Sequence, residues 1–266
     1  MKKRLVLLHW LNLALTGVTL AMAMGSLIPS QYIPGISVLV LLLPLLVIPH
    51  VVAFLFWIRF NPRKSSTNFL GLAIIAFPLM AQWPYARAEE ISEGEVKIAT
   101  YNVRAFYQTS GAAQAIGNWT QQQSIDILRM QEIRRSAAAP LAKHYPYRIY
   151  APRNKNYSVA IYSKYPIINH SPLEYTSLST KGYARTSAQY ADIVLPFDTV
   201  RVLNVHLSST GLQDQDMDAV HSKDELLETG QFVLSKLAAS DRNRGLQANH
   251  IIEWVKESPH PVVLSG

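Results

Sequence analysis

The sequence predicts an α/β domain preceded by membrane-spanning helices, and three observations support this prediction. No Lys, Arg, Asp or Glu occurs from Leu5 to Ile58, a span of 54 residues. From about residue 96 onward, short runs rich in Val, Ile and Tyr are interspersed with longer helical patterns. Several of these runs end on Asn, Glu or His, which places polar side chains at the rim of a sheet. Such a mixture of strands and helices is typical of helices packed on sheets.

The charge-free segment is long enough for two membrane helices of about 20 residues each. We predict spans at about 5–28 and 36–58, because a turn rich in Pro and Gly lies between them. A third, less apolar span is predicted at about 69–86, and residues 87–95 form a polar linker. The chain is 49% hydrophobic but only 16% charged, and the deficit of charge is concentrated in these spans.

Basic residues at the ends of the spans predict an orientation. They precede the first span and follow the second: Lys2, Lys3, Arg4, Arg59, Arg63 and Lys64. This pattern places the N-terminus in the cytoplasm and, if the third span crosses, the following domain outside the cytoplasm, in a bacterial inner membrane. A secretory signal peptide begins in the same way, but its apolar run is shorter and is not followed at once by another.

Charge, cysteine and histidine content narrow the function classes. The formal net charge of +7 includes the basic residues that flank the spans, so it is not by itself a nucleic-acid signature. The chain has no cysteine, which excludes disulfides and thiolate metal sites. His9 and His50 are the titratable residues of the first two spans, and a transporter or channel would depend on these two alone.

Seven runs after the linker are predicted to be strands because they are rich in β-branched and aromatic residues. They lie at about 96–103, 125–131, 147–151, 157–163, 187–195, 199–207 and 261–265. Helices are predicted at about 112–123, 223–239 and 243–257, with Asp241 as a cap near the start of the last helix.

Three polar residues stand toward the far ends of apolar strands: Asn102, Glu132 and His206. Each alone is more typical of a turn residue, a solvated strand end or a core histidine. Together they suit phosphate-ester hydrolysis, which needs a divalent cation, a group that orients water and a group that assists the leaving oxygen. Magnesium takes only one or two protein carboxylates, so a single Glu is sufficient for it. We therefore expect Glu132 and Asn102 at a metal and Asn102 and His206 in catalysis.

Four segments come in the order and at the separations of the motifs of one known superfamily: 97–104, 130–132, 158–167 and 204–207. They resemble the endonuclease/exonuclease/phosphatase superfamily, which includes deoxyribonucleases, neutral sphingomyelinases and inositol polyphosphate phosphatases. The resemblance covers about residues 96–266. It implies a four-layer α/β sandwich of the deoxyribonuclease type, Mg²⁺ (with Mn²⁺ as an alternative) at Glu132, and a phosphate contact at His206.

The same resemblance suggests phosphate-binding roles for three further residues. Arg134 follows Glu132 by two positions, Arg185 precedes a predicted strand, and Asn204 lies in the segment that carries His206. The alternative for both arginines is an ordinary surface charge.

The chain also departs from the superfamily pattern. The last predicted strand stops at Gly266, where superfamily members continue into an Asp, an aromatic residue and an Asn, and later an Asp-His pair. We therefore expect an incomplete sandwich and an inactive fragment of a longer protein. Residues 153–157 lack the acidic residue that supports the catalytic His in the nuclease subgroup, which argues against a strict deoxyribonuclease.

These observations predict a membrane-anchored, Mg²⁺-dependent phosphoesterase. Its substrate is a nucleic acid, which would suit the arginines, or a phospholipid or inositol phosphate head group, which would suit the anchor. The lipid bilayer is a partner through the N-terminal helices, and no protein partner is identifiable. The alternative is a catalytically inactive, membrane-tethered binding module, because the last two motifs are absent.

Overall fold

The fold is described from a computed structural model of the chain. It describes residues 2–82, 95–106, 111–151, 158–173, 187–210, 212 and 223–266. The chain divides into two compact units. Met1–Ala88 and Thr210–Gly245 form the first, and Glu89–Ser209 and Leu246–Gly266 form the second.

The first unit contains the predicted spans. Helix α1 is Lys2–Gly25, α2 is Ile36–Leu42, and a 3-10 helix at Leu43–Leu46 leads into α3 at Val47–Phe60. Helix α4 is Pro62–Gln82. The segments Lys3–Gly25 and Ile36–Phe60 are long and apolar enough to cross a membrane by length and composition, as signal sequences and soluble core helices also are.

A line of polar contacts joins α1, α3 and α4. The Thr19 hydroxyl lies 2.9 Å from His50 Nε2, and the other ring nitrogen of His50 lies 3.3 Å from Asn68 Oδ1. All three side chains are fully buried. About two turns earlier on α1, Asn12 donates to the Thr67 hydroxyl of α4 at 2.6 Å. Polar contacts of this kind hold apolar helices together where the hydrophobic effect does not distinguish helix from lipid.

The second unit contains two four-stranded sheets. The first sheet has the order β1-β2-β4-β3 and is formed by Ile98–Asn102, Ile127–Ile133, Tyr147–Tyr150 and Ser158–Ser163. Strands β1 and β2 are parallel, and the other pairs are antiparallel. Helices α5 (Ala112–Gln122) and α6 (Ala139–Ala142) accompany this sheet.

The second sheet has the order β5-β6-β7-β8. It is formed by Ile167–Leu173, Ser187–Val194, Thr199–His206 and Val262–Ser265. Strand β8 runs parallel to β7. The long helix α7, Lys223–Lys256, precedes β8 and contributes to both units.

The hydrophobic core of the second unit consists of three clusters, each packed between two neighbouring layers of the fold. One cluster, which includes Met130 and Leu141, packs the first sheet against its helices. A second cluster, which includes Ile127 and Val202, joins the two sheets face to face. A third joins Val205 to Ile251 of α7. The result is a four-layer α/β sandwich, as predicted. Strand β2 is buried on both faces along nearly its whole length, including its polar residues Arg129 and Gln131.

The structure corrects two predictions and leaves several outside the described residues. The predicted helices at about 223–239 and 243–257 are one continuous helix, and Asp241 lies inside it rather than at a cap. Strand β5 was not predicted, because Pro172 and the polar residues of Ile167–Leu173 obscure its pattern. Residues 83–94, which hold the end of the third span and most of the linker, lie outside the described residues.

Candidate active site

The parallel pairing of β1 and β2 brings Asn102 and Glu132 together. Asn102 is the last residue of β1 and pairs in register with Gln131 of β2. Because parallel strands end at the same edge of a sheet, the side chains beyond this pair share one rim. The Asn102 carboxamide donates to Glu132 Oε1 at 3.1 Å, and its own oxygen accepts from the Arg104 backbone N–H at 3.1 Å. Asn102 is therefore held from two sides.

Glu132 occupies a strained backbone position. Its φ is 53°, in the left-handed region that non-glycine residues rarely adopt. The pairing of β2 with β4 shifts register between Met130 and Ile133, so Glu132 lies at an irregularity of the sheet. Bulges of this kind redirect a side chain beside functional sites, and such strain, which costs about 1 to 3 kcal/mol, persists only where the surroundings enforce it.

His206 reaches the same rim from the other sheet. It is the last residue of β7, and its Nε2 lies 3.5 Å from Glu132 Oε1. The Glu132 side chain is 32% exposed and that of His206 is 15% exposed. Glu132 therefore remains open to solvent while it is flanked by an amide and an imidazole.

Asn204 lies beneath this rim and is fully buried. Its Nδ2 donates to the carbonyl oxygens of Met130 at 3.0 Å and Ala160 at 2.8 Å, on the neighbouring strands β2 and β4. Its oxygen accepts from Gln131 Nε2 at 2.5 Å, and Gln131 also contacts the Thr100 hydroxyl at 3.0 Å. Asn204 thus fills the place where the ladder between β2 and β4 is interrupted, and it links the two sheets directly under Glu132.

The loop after His206 is also fixed by a side chain. The backbone N–H of Ser208 donates to the Gln247 carboxamide oxygen at 3.0 Å, and Gln247 is buried on α7. Sequence reasoning missed both Gln131 and Gln247. An inward-facing Gln on a buried strand is a signal that could have identified Gln131, whereas nothing in the helical pattern marks Gln247.

Three arginines follow the carboxyl ends of β1 and β2 in the chain. Arg134 is half-buried and directly follows β2. Arg104 is exposed and begins the 3-10 turn Arg104–Phe106 after β1. Arg135 lies with its guanidinium 4.9 Å from the centre of the Tyr150 ring. Arg185, the other predicted phosphate ligand, lies outside the described residues.

A further arginine is buried between the sheets, behind this rim. Arg129 of β2 donates to the carbonyl oxygen of Val263 on β8 at 3.2 Å. Burial lowers the pKa of Arg129 to about 10, which leaves the guanidinium charged at neutral pH. Arg129 thus links β2 to the edge strand β8 and carries a positive charge between the sheets.

The oxygen atoms at the rim fit a hard divalent cation. In the described part of the chain, no group of three or more His, Asp or Glu side chains converges, so a cage formed by protein ligands alone is not seen there. Glu132 supplies one solvent-accessible carboxylate, and Asn102 supplies an amide oxygen beside it. Magnesium usually keeps several waters and takes one or two carboxylates, so this ligand set suits it better than it suits zinc, which prefers nitrogen and sulfur.

Comparisons with known proteins identify a family for the second unit. Residues 99–266 match the model of the Endonuclease/Exonuclease/phosphatase family. No curated protein matches the chain.

Several solved structures are similar to part of the chain. The truncated Caenorhabditis elegans TDP2 is 18% identical, covers 63% of this chain and 59% of its own, and has a TM-score of 0.42. D. rerio TDP2 complexed with single-strand DNA product is 13% identical, with coverages of 63% and 57% and a TM-score of 0.41. A family protein from Leptotrichia buccalis is 14% identical, with coverages of 53% and 73% and a TM-score of 0.37. The chain thus spans less than three fifths of these TDP2 chains.

Proposed function

Because the chain belongs to the endonuclease/exonuclease/phosphatase family, we propose that it hydrolyses phosphate esters with a divalent metal ion and is anchored in a membrane. The observation that carries this proposal is the approach of three side chains at one rim. Asn102 and His206 each lie within 3.5 Å of the same Glu132 oxygen, although they come from different sheets. A strained glutamate between an amide and an imidazole is typical of a reactive centre.

In this proposal Glu132 and Asn102 hold the cation, and Mg²⁺ is the ion that their oxygens favour, with Mn²⁺ as the alternative. The bound cation would neutralise charge on the phosphoryl oxygens. The imidazole of His206, at the other side of Glu132, donates a hydrogen bond to a phosphoryl or leaving oxygen. Asn102 keeps the carboxylate of Glu132 in position and adds no negative charge.

The arginines and the anchor support two classes of substrate. Arg104 and Arg134 follow adjacent strands at the rim and suit the phosphates of a nucleic acid, as does Arg185 from the sequence. The apolar helices would hold the domain near the head groups of phospholipids and inositol phosphates. The charge of the rim favours phosphate in both cases and does not select between phosphodiester and phosphomonoester.

The apolar helices of the first unit support membrane anchoring. Only 11% of each of the two candidate spans is buried inside the structure. A helix in the core of a soluble protein is covered by its neighbours, so these exposed apolar faces need another apolar environment. Basic residues flank these helices and set their orientation. We therefore propose an inner-membrane protein whose N-terminus is cytoplasmic and whose hydrolase domain is extracytoplasmic.

Replacement of Glu132 by Gln tests the proposed metal ligand. Glu132→Gln should lower Mg²⁺-dependent hydrolysis by roughly 10²-fold or more, because a neutral amide replaces the carboxylate at the cation. Single-stranded DNA, phospholipid vesicles and inositol phosphates should be assayed in parallel, since they separate the substrate classes.

The matched control is Glu253→Gln, on an exposed position of α7. It should keep the wild-type rate. Full activity in Glu132→Gln would remove Glu132 from the metal site. A wild-type protein that binds these substrates without hydrolysing them would instead support a binding module.

A further inference from the structure

Asp241 is a buried carboxylate in the middle of the long helix α7. Asp241 as a whole is only 4% exposed to solvent. The carboxylate accepts hydrogen bonds from the backbone N–H groups of Gly35 at 3.1 Å and Ser37 at 3.4 Å, and from the Ser37 hydroxyl. These donors belong to the start of α2, more than 200 residues earlier in the chain. All of these residues lie within the first unit.

The hydrogen bonds explain why a carboxylate is buried at this place. Helix α2 begins after Gly35, which has no side chain to cap the helix, and some of the N–H groups at this end have no acceptor within the helix. Asp241 satisfies two of them from another helix, and its negative charge lies at the positive end of the α2 dipole. The helix dipole and the Ser37 hydroxyl thus compensate the removal of the carboxylate from water.

The contact extends along one face of α7. The Ser30 hydroxyl donates to the backbone oxygen of Asp241 at 2.9 Å. A Cβ atom on Gly245 would lie 2.7 Å from the Ser30 hydroxyl and 2.8 Å from the Gln31 nitrogen, so only glycine allows this approach. A Cβ on Gly35 would lie 3.4 Å from the Cβ of Ala238. Residues 238, 241 and 245 are spaced by three and four, which places them on one side of the helix.

We propose that this face of α7 (Ala238, Asp241 and Gly245) is a docking surface for the loop between α1 and α2, and that it fixes residues 223–245 on the same side of the membrane as that loop. The part of the proposal that concerns sides of a membrane rests on the proposed anchoring. The docking itself does not, because the hydrogen bonds form with or without a bilayer.

The docking determines how often the chain crosses the membrane. If α1 crosses once, and α2 and α3 together cross once, then α3 ends on the side opposite to the docked loop. Residues 223–245 lie with the loop, so the chain must cross again between Phe60 and Lys223. In the described part of that interval, α4 has 21 residues and is long enough to do so, at about 1.5 Å per residue. Helix α4 is therefore the third span, although its composition alone does not identify it.

Disulfide trapping tests the docking directly, because the chain contains no cysteine. The pairs Ser37→Cys with Asp241→Cys, and Ser30→Cys with Gly245→Cys, should form disulfides in intact membranes. The second pair keeps the Asp241 carboxylate, so it remains informative if the first pair does not fold. The control pair, Ser37→Cys with Arg242→Cys, uses an exposed neighbour on α7 and should stay reduced. Failure of both test pairs, or equal oxidation of the control, would overturn the docking.

Labelling with a membrane-impermeant maleimide tests the side of the membrane. Tyr32→Cys, in the docked loop, and Phe197→Cys, in the second unit, replace residues that are 72% and 65% exposed. They should label from the same side, and Arg63→Cys, at the start of α4, from the opposite side. Labelling of Tyr32→Cys and Phe197→Cys from opposite sides would overturn the inference. Alkaline carbonate extraction reports separately on anchoring, because an extracted protein would contradict the membrane proposal while the disulfides still decide the docking.

Discussion

At the scale of single residues, the site depends on a backbone conformation that glutamate does not favour. The left-handed φ of Glu132 and the register shift beside it turn its carboxylate toward Asn102 and His206. Arg104, on the neighbouring strand end, also has a positive φ of 41°. Two such residues on adjacent strand ends indicate that the sheet enforces the geometry of this rim.

The buried hydrogen bonds of Asn204 indicate that this residue supports the structure of the site. We expect Asn204→Ala to lower the free energy of unfolding by about 2 to 3 kcal/mol, because the carbonyl oxygens of Met130 and Ala160 and the amide of Gln131 lose their partner. Urea titration would measure this loss. Asn118→Ala, on an exposed position of α5, should change stability little. Unchanged stability together with lost hydrolysis would instead favour the phosphate contact that the sequence suggests.

At the scale of elements, Gly71 controls the packing of α4 on α3. A Cβ on Gly71 would collide with the ring of His50, whereas a Cβ on Gly17 would meet nothing within 4 Å. Gly71→Ala should therefore destabilise the helices by about 1 to 3 kcal/mol, as overpacking does. Gly17→Ala should be neutral or stabilising, since alanine is the better helix former. Thermal unfolding in detergent compares the two, and equal midpoints would contradict the packing of His50 on Gly71.

The second sheet contains an ion pair that links β6 to β7. Arg201 donates to both carboxylate oxygens of Asp192, at 2.7 and 2.8 Å, and Asn169 of β5 donates to the same group at 3.0 Å. Burial acts to raise the pKa of Asp192, but the hydrogen bonds from Arg201 and Asn169 and the charge of Arg201 hold it below its usual value. The carboxylate is therefore more acidic in the folded state than in the unfolded state.

This shift predicts the direction of the pH dependence. A depressed carboxylate pKa contributes stability above the unfolded pKa of about 3.9, and that stability is lost as pH falls through the lower folded pKa. Asp192→Asn should cost about 3 kcal/mol at pH 7, because Arg201 then stays buried without its anion. Urea titrations at several pH values should show the wild-type advantage shrinking below about pH 4. Asp198→Asn, at the exposed hairpin tip, is the control, and an advantage that persists in acid would contradict the assignment.

At the scale of the whole molecule, apolar helices and a more polar α/β sandwich occupy one chain. We expect the protein to stay in the membrane pellet after alkaline carbonate treatment, because the exposed apolar faces of its helices are stable only in lipid. The intact mass should include α1. A mature protein shortened at its N-terminus, found in the soluble fraction, would instead support the signal peptide.

The sequence by itself determined the family and the class of fold. The order of four motifs predicted the family, and the match over residues 99–266 confirms it. All seven predicted strands lie within a few residues of observed ones, because apolar runs bounded by polar residues are a local property. The irregular strand β5 was missed because it contains no such apolar run. Its strand conformation is set by its pairing with β6 rather than by its own residues.

Only the tertiary structure decided what surrounds the site and how the long helix is used. Sequence places Asn102, Glu132 and His206 at strand ends, but strand order and sheet packing bring them together. Asp241 resembles a cap in sequence, yet it caps a helix from which more than 200 residues separate it. Contacts between residues so far apart depend on how the sheets and helices pack, which local pattern does not encode. For this reason the residues of the rim could be named as candidates from the sequence, whereas Gln247, which supports the loop after His206, could not.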